Sequence, residues 1–168
     1  MKDKFLICLV LFILILMNPD SSCGKEAEKI MANDINAPTG IACDAKGTLY
    51  VSEWGAGCIA LIRDDKKSII LDGISSPAGL AFDENGKLYI AGYGDGNIYV
   101  WDGTGKPEIF ATGLSAPTGL LWDNGLLVAN RNAGEVVKIE PQGKKKVISR
   151  GHKLPVGIAR TEDGKLFV

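Results

Sequence analysis

Apolar residues along this chain come in short runs broken by turn residues, and the order of runs and breaks repeats. One stretch shows the pattern well: Gly79–Phe82 is followed by the turn Asp83-Glu84-Asn85-Gly86, and Lys87–Ala91 comes next. The Asn-Gly pair suits a tight hairpin, because glycine enters positive φ without a Cβ clash. Asp44-Ala45-Lys46-Gly47 and Thr161-Glu162-Asp163-Gly164 take the same place in other units, and the shorter Asp123-Asn124-Gly125 predicts a tighter turn. Third runs follow at Cys58–Ile62, Asn97–Trp101 and Glu135–Ile139, and fourth runs at Ser68–Leu71, Glu108–Ala111 and Lys146–Ser149. Tyr, Val and Ile dominate the second runs (Leu49-Tyr50-Val51, Leu88-Tyr89-Ile90), as a pleated, half-buried surface favours. No 3.6-residue apolar period is sustained over a helix length. The pattern predicts four short antiparallel strands per unit.

Each unit opens on one phrase. Pro38-Thr39-Gly40, Pro77-Ala78-Gly79, Pro117-Thr118-Gly119 and Pro155-Val156-Gly157 lie 39, 40 and 38 residues apart. A period near 40 residues marks a repeat architecture, in which no unit buries its apolar face alone. Four strands in such a repeat make the blade of a β-propeller; a sandwich has no reason to repeat its wording. The fold class is therefore all-β, with blades over residues 36–74, 75–114 and 115–153 and a partial blade over 154–168.

The phrases Pro-x-Gly-[Ile/Leu]-Ala-x-Asp and Gly-x-Leu-Tyr-[Val/Ile] resemble NHL-type propeller repeats. They are also similar to the senescence-marker/gluconolactonase-like and virginiamycin B lyase-like groups. Tyr50–Ile59 is close in style to the lyase-like repeats, and the resemblance runs from about residue 36 to 168. It implies an incomplete six- or seven-bladed ring, since propellers close with about 4 to 8 blades. An open arc exposes blade faces and a strand edge. A truncated product and an assembly of partial propellers from several copies are the competing explanations.

Residues 1–23 read as an export signal. A basic start precedes 13 unbroken apolar residues, Phe5–Met17, too few for a bilayer span and suited to a signal peptide. Cys23 after Ser21 and Ser22 resembles the lipidated cysteine of a bacterial lipoprotein, although Asp20 stands where an aliphatic residue is usual. Cleavage after Gly24 is the rival, which would leave a secreted or periplasmic soluble protein; an uncleaved anchor is the third option. Residues 24–35 form a linker. Membrane contact is expected only through the N-terminal anchor. Loss of residues 1–22 removes two lysines and two aspartates, so the net charge stays at −1, and no nucleic-acid partner is implied. Cys43 and Cys58 fall on the first and third strands of a blade, about 9 to 10 Å apart, and are expected to stay unbridged.

Strand alternation places the Pro-x-Gly loops and the loops between strands two and three on one face. That face would present Glu53 and Trp54, Tyr93 and Asp95, and Asn130, Arg131 and Asn132 as a surface for a small ligand, protein or peptide. Trp54 and Tyr93 are the first aromatics expected to face a ligand, whereas Trp101 and Trp122 are expected between blades. The gluconolactonase-like resemblance implies a divalent cation held partly by Asn or Asp between Pro and Gly. Here Thr39, Ala78, Thr118 and Val156 occupy those slots, so no metal or cofactor is implied unless further blades supply ligands such as Ca²⁺ needs. The lyase-like resemblance implies a catalytic histidine; the one histidine, His152, lies in a connection. No Gly-x-Ser-x-Gly elbow occurs. The sequence thus supports an exported binding scaffold without a visible catalytic set, against a fragment of a metal-dependent lactone hydrolase or lyase, or a remnant that does not fold.

Overall fold

The structure is a computed structural model and describes residues 34–168. The export signal, Cys23 and nearly all of the linker lie outside the described residues. Three four-stranded antiparallel sheets follow one another, each in simple sequence order. The first comprises β1 (Pro38–Cys43), β2 (Leu49–Glu53), β3 (Cys58–Arg63) and β4 (Lys66–Leu71). The second comprises β5 (Pro77–Phe82), β6 (Leu88–Gly92), β7 (Asn97–Trp101) and β8 (Glu108–Ala111). The third comprises β9 (Pro117–Trp122), β10 (Leu126–Asn130), β11 (Glu135–Ile139) and β12 (Lys145–Arg150). A two-stranded hairpin, β13 (Ala159–Arg160) with β14 (Leu166–Phe167), begins a fourth blade. The strands match the expected runs to within a few residues. A single 3-10 turn at Arg131–Ala133 is the one helical element among the described residues.

Burial follows the position of a strand within its blade. The second strands β6 and β10 are buried at every residue, and β6 packs Leu88 and Ile90 against the first blade and Tyr89 and Ala91 against the third. That is why Leu88-Tyr89-Ile90-Ala91 reads as a continuous apolar run rather than an alternation. The outer strands are wetter, and Ile69, Ile109 and Ile148 are exposed there. Each outer strand also carries an irregularity in register at the same place, opposite Ile59/Ala60, Ile98/Tyr99 and Val136/Val137. Such a bulge bends and twists the strand.

Two apolar clusters join the blades. One packs Tyr50, Ile59 and Leu71 of the first blade against Leu80, Leu88 and Ile90 of the second. The other packs Ala78, Tyr89 and Ile98 of the second against Leu120, Leu126 and Val137 of the third. The aromatic contacts repeat as well: Tyr50 meets Phe82 edge-on with ring centroids 5.0 Å apart, and Tyr89 stacks on Trp122 at 4.9 Å. Trp122 therefore lies between blades, as its strand position predicts. Trp101 is half-buried against the cluster that joins the first two blades. Cys43 is exposed and Cys58 buried, and both are free thiols.

Candidate functional site

The inner strands β1, β5 and β9 run side by side, and their Pro-x-Gly phrases meet at the centre of the arc. A Cβ built on Gly40 would overlap the carbonyl oxygen of Ala78; on Gly79 it would overlap that of Thr118, and on Gly119 that of Val156. At the last of these junctions the Gly119 N–H donates to Val156 O at 2.7 Å. The residue before glycine adds a second tie. The Thr39 hydroxyl lies 2.9 Å from Pro77 O, and the Thr118 hydroxyl 3.1 Å from Pro155 O. The Ser52 hydroxyl donates to Ala78 O at 2.6 Å. Close backbone approach between blades thus explains the glycine, and hydroxyl-to-carbonyl clips explain the threonines.

The residue just before each proline has a left-handed backbone: Ala37 (φ 49°), Ser76 (49°), Ala116 (54°) and Leu154 (52°). This turns the carbonyls of the first three toward their own blade's loop between strands two and three. Ala37 O accepts from Trp54 N–H (3.1 Å), Ser76 O from Tyr93 N–H (3.2 Å), and Ala116 O from Arg131 N–H (3.3 Å). Trp54, Tyr93 and Arg131 are therefore equivalent residues, each the first beyond its second strand. Their side chains form a continuous wall. The Trp54 and Tyr93 rings are 4.5 Å apart and tilted by 54°, and an Arg131 guanidinium N–H reaches the Tyr93 hydroxyl at 3.4 Å.

This wall and the Pro-x-Gly floor enclose a concavity of about 350 Å³, within the range of small-ligand sites. Thr39, Ala78, Thr118 and Val156 line it together with Trp54, Tyr93 and Arg131. Arg131 is the one charged side chain among the described residues that line it.

The other rim residues named from the sequence are placed elsewhere. Glu53 is the last residue of β2 and its side chain is 1% exposed, turned inside the blade. Its Oε2 accepts the Asn36 N–H at 2.9 Å and a Lys67 bond at 3.1 Å. Its Oε1 faces Lys67 Nζ at 2.8 Å as an ion pair, at an angle too poor for a hydrogen bond. The Lys67 ammonium also donates to Asp34 O. The hydrogen bond it donates to Glu53 holds Lys67 above the ordinary lysine value. Asn130 is the counterpart of Glu53 in the third blade, and its Oδ1 accepts the Ser115 N–H at 2.6 Å. Asp95 is exposed and bonds the Tyr99 hydroxyl and the Asn97 N–H, closing its own loop. Burial, then that aspartate bond, pushes the Tyr99 phenol up. Asn132 accepts a 3.1 Å bond from Arg131, so it supports the guanidinium from behind.

The slots between Pro and Gly offer a cation few side-chain oxygens. Both threonine hydroxyls in the relevant slots already bond main-chain carbonyls, and Ala78 and Val156 bring no side-chain oxygen. Among the described residues, no group of three or more His, Cys, Asp or Glu is close enough together to hold a metal ion. His152 bonds the Ser149 hydroxyl at 2.8 Å and does not line the concavity.

No family model matches the chain, and no curated protein matches it. Solved structures do. Virginiamycin B lyase from Staphylococcus aureus matches over 77% of this chain and 47% of its own, with TM-score 0.64 and 20% identity. A streptogramin B lyase matches over 79% and 47%, with TM-score 0.68 and 15% identity. A gluconolactonase from Xanthomonas campestris matches over 82% and 57%, with TM-score 0.72 and 17% identity. The chain is an arc of a β-propeller. This arc spans about half the length of the structures it matches, and at these identities the likeness is one of fold. It confirms the four-stranded blades and the resemblance to lyase-like and gluconolactonase-like propellers.

Proposed function

We propose that the propeller arc is a binding scaffold that receives a small organic ligand on its Pro-x-Gly face. One observation carries this reading. Three equivalent loops each send a large side chain, Trp54, Tyr93 and Arg131, into one concavity whose floor is otherwise committed to joining the blades. Side chains serving the fold at this level, Glu53 and Asn130, point the other way. Ligand-observed NMR against a library of small organic compounds tests it. Bound compounds should lose their saturation-transfer signal in Trp54→Ala and Tyr93→Ala, while Ile69→Thr on the outer rim leaves it intact. Signals that survive both changes would place binding elsewhere and overturn the reading.

The reading includes export and a lipid anchor at Cys23. It rests on the 13-residue apolar run and the small residues before the cysteine. In an exporting bacterium the chain should partition into the detergent phase, and Cys23→Ser should move it to the aqueous phase. Equal partitioning of the two would remove the lipid from the proposal.

A further inference from the structure

We infer that the ligand of this concavity is a small organic monoanion, a carboxylic acid with a flat apolar body. The inference rests on the binding reading above and adds the ligand's chemistry. Arg131 is half-buried, and its hydrogen-bond partners are neutral: the Tyr93 hydroxyl at 3.4 Å and Asn132 Oδ1 at 3.1 Å. Among the described residues no carboxylate lines the site, and no ion pair involves Arg131. The contrast is with Lys67 at the rim of the first blade, whose charge is matched by Glu53. A guanidinium held beside aromatic walls, with no carboxylate partner among the described residues, favours an anion, and its planar fork suits a carboxylate.

The neutral groups define the rest of the ligand. The hydroxyl protons of Thr39 and Thr118 are directed to main-chain carbonyls, so the floor has few donors left for a polar body. Tyr93 can accept from Arg131 and still donate its own proton, giving the carboxylate a second donor beside the first. Trp54, tilted against Tyr93, continues the wall as an apolar surface of the size of a fused ring. With one cation in the lining, a monoanion is matched and a doubly charged phosphate is not.

The probes are naphthalene-2-acetate and its uncharged partner naphthalene-2-acetamide, titrated calorimetrically against the full chain at neutral pH. The acid should bind about tenfold or more tighter than the amide, the usual scale for a charge-assisted bidentate contact. Arg131→Gln should erase that preference and leave the amide's affinity nearly unchanged. Arg131→Lys, which keeps the charge without the fork, should retain part of it. Urea midpoints equal to that of the parent chain show that the variants are folded. If acid and amide bind the parent chain equally, the site binds ligands but does not select anions, and this inference alone falls. A preference that survives Arg131→Gln also overturns it. If neither probe binds, the inference and the binding reading fall together.

Discussion

Gly79 sits where a single methyl group would collide with the main chain of the next blade. Gly86, in the turn between β5 and β6, has positive φ (80°) instead, and a Cβ there meets nothing. The two glycines serve different ends, and substitution separates them. Gly79→Ala should cost about 3 kcal/mol, because backbone cannot move aside without opening the junction. Gly86→Ala should cost about 1 kcal/mol, the left-handed penalty alone. Urea denaturation of both variants checks the order. The sequence shows the Pro-x-Gly glycine four times over, but its partner is a carbonyl 37 to 39 residues away, so the reason is not legible there. Glu53 is a sharper case. A carboxylate beside a tryptophan at a strand end looks like a ligand contact, and its partner Lys67 lies two strands away. Since Lys67 is held above its ordinary value, the pair's contribution is complete below the unfolded lysine value and is lost as pH rises through the folded one. Glu53→Gln should lower the urea midpoint at neutral pH, and the gap between variant and parent should narrow in strong alkali.

Strands show the same division between what is local and what is shared. Second strands were readable because a run such as Leu88-Tyr89-Ile90 is apolar on both faces. Fourth strands look similar in sequence but lie at the wet rim, and only the position within a blade distinguishes the two. The exposed Ile69 and Ile109 belong to this outer level, whereas Leu88 is fully buried between blades. Tyr89 in β6 reports on the junction directly. Burial, reinforced by the negative charge of Asp83, pushes its phenol from 10.0 to about 12. The neutral form is the one that fits, so its contribution is complete below pH 10 and is lost as pH rises toward about 12. Tyr89→Phe should remove part of the alkaline fall in urea midpoint within that window, with Tyr50, also raised by burial, accounting for some of what remains. An unchanged alkaline profile would show that the Tyr89–Trp122 junction opens before the phenol ionises.

Across the molecule, stability passes from blade to blade through the two clusters that share the second blade. Neighbour-to-neighbour coupling of this kind localises damage. Leu126→Ala removes a fully buried side chain from the junction of the second and third blades and should cost about 3 kcal/mol. Hydrogen exchange should then accelerate first in β9–β12, with β1–β4 the last to lose protection. Uniform acceleration throughout would mean a single cooperative unit. At this scale the sequence was most informative: the period and strand order follow from its repeated phrase. The concavity was legible only in part. Trp54, Tyr93 and Arg131 occupy one repeat position, and aligning the units by that position isolates them from Glu53, Asp95 and Asn130. Which way a side chain turns at the end of a strand depends on the neighbouring blade, and no local pattern records it.

The glycine-to-carbonyl junction is the same at each of the three places where one Pro-x-Gly phrase meets the next. A blade therefore carries a socket on one side and the matching plug on the other, independent of the side chains that give each blade its own character. A chain built this way is extensible. A second copy of residues 75–114 spliced after the first would meet a familiar partner on both flanks, its glycine against Thr118 O and its own Ala78 O against the preceding Gly79. Growth by whole repeats asks for no new main-chain joint, and the aromatic and charged groups at the loop tips are free to diversify while the joint stays fixed.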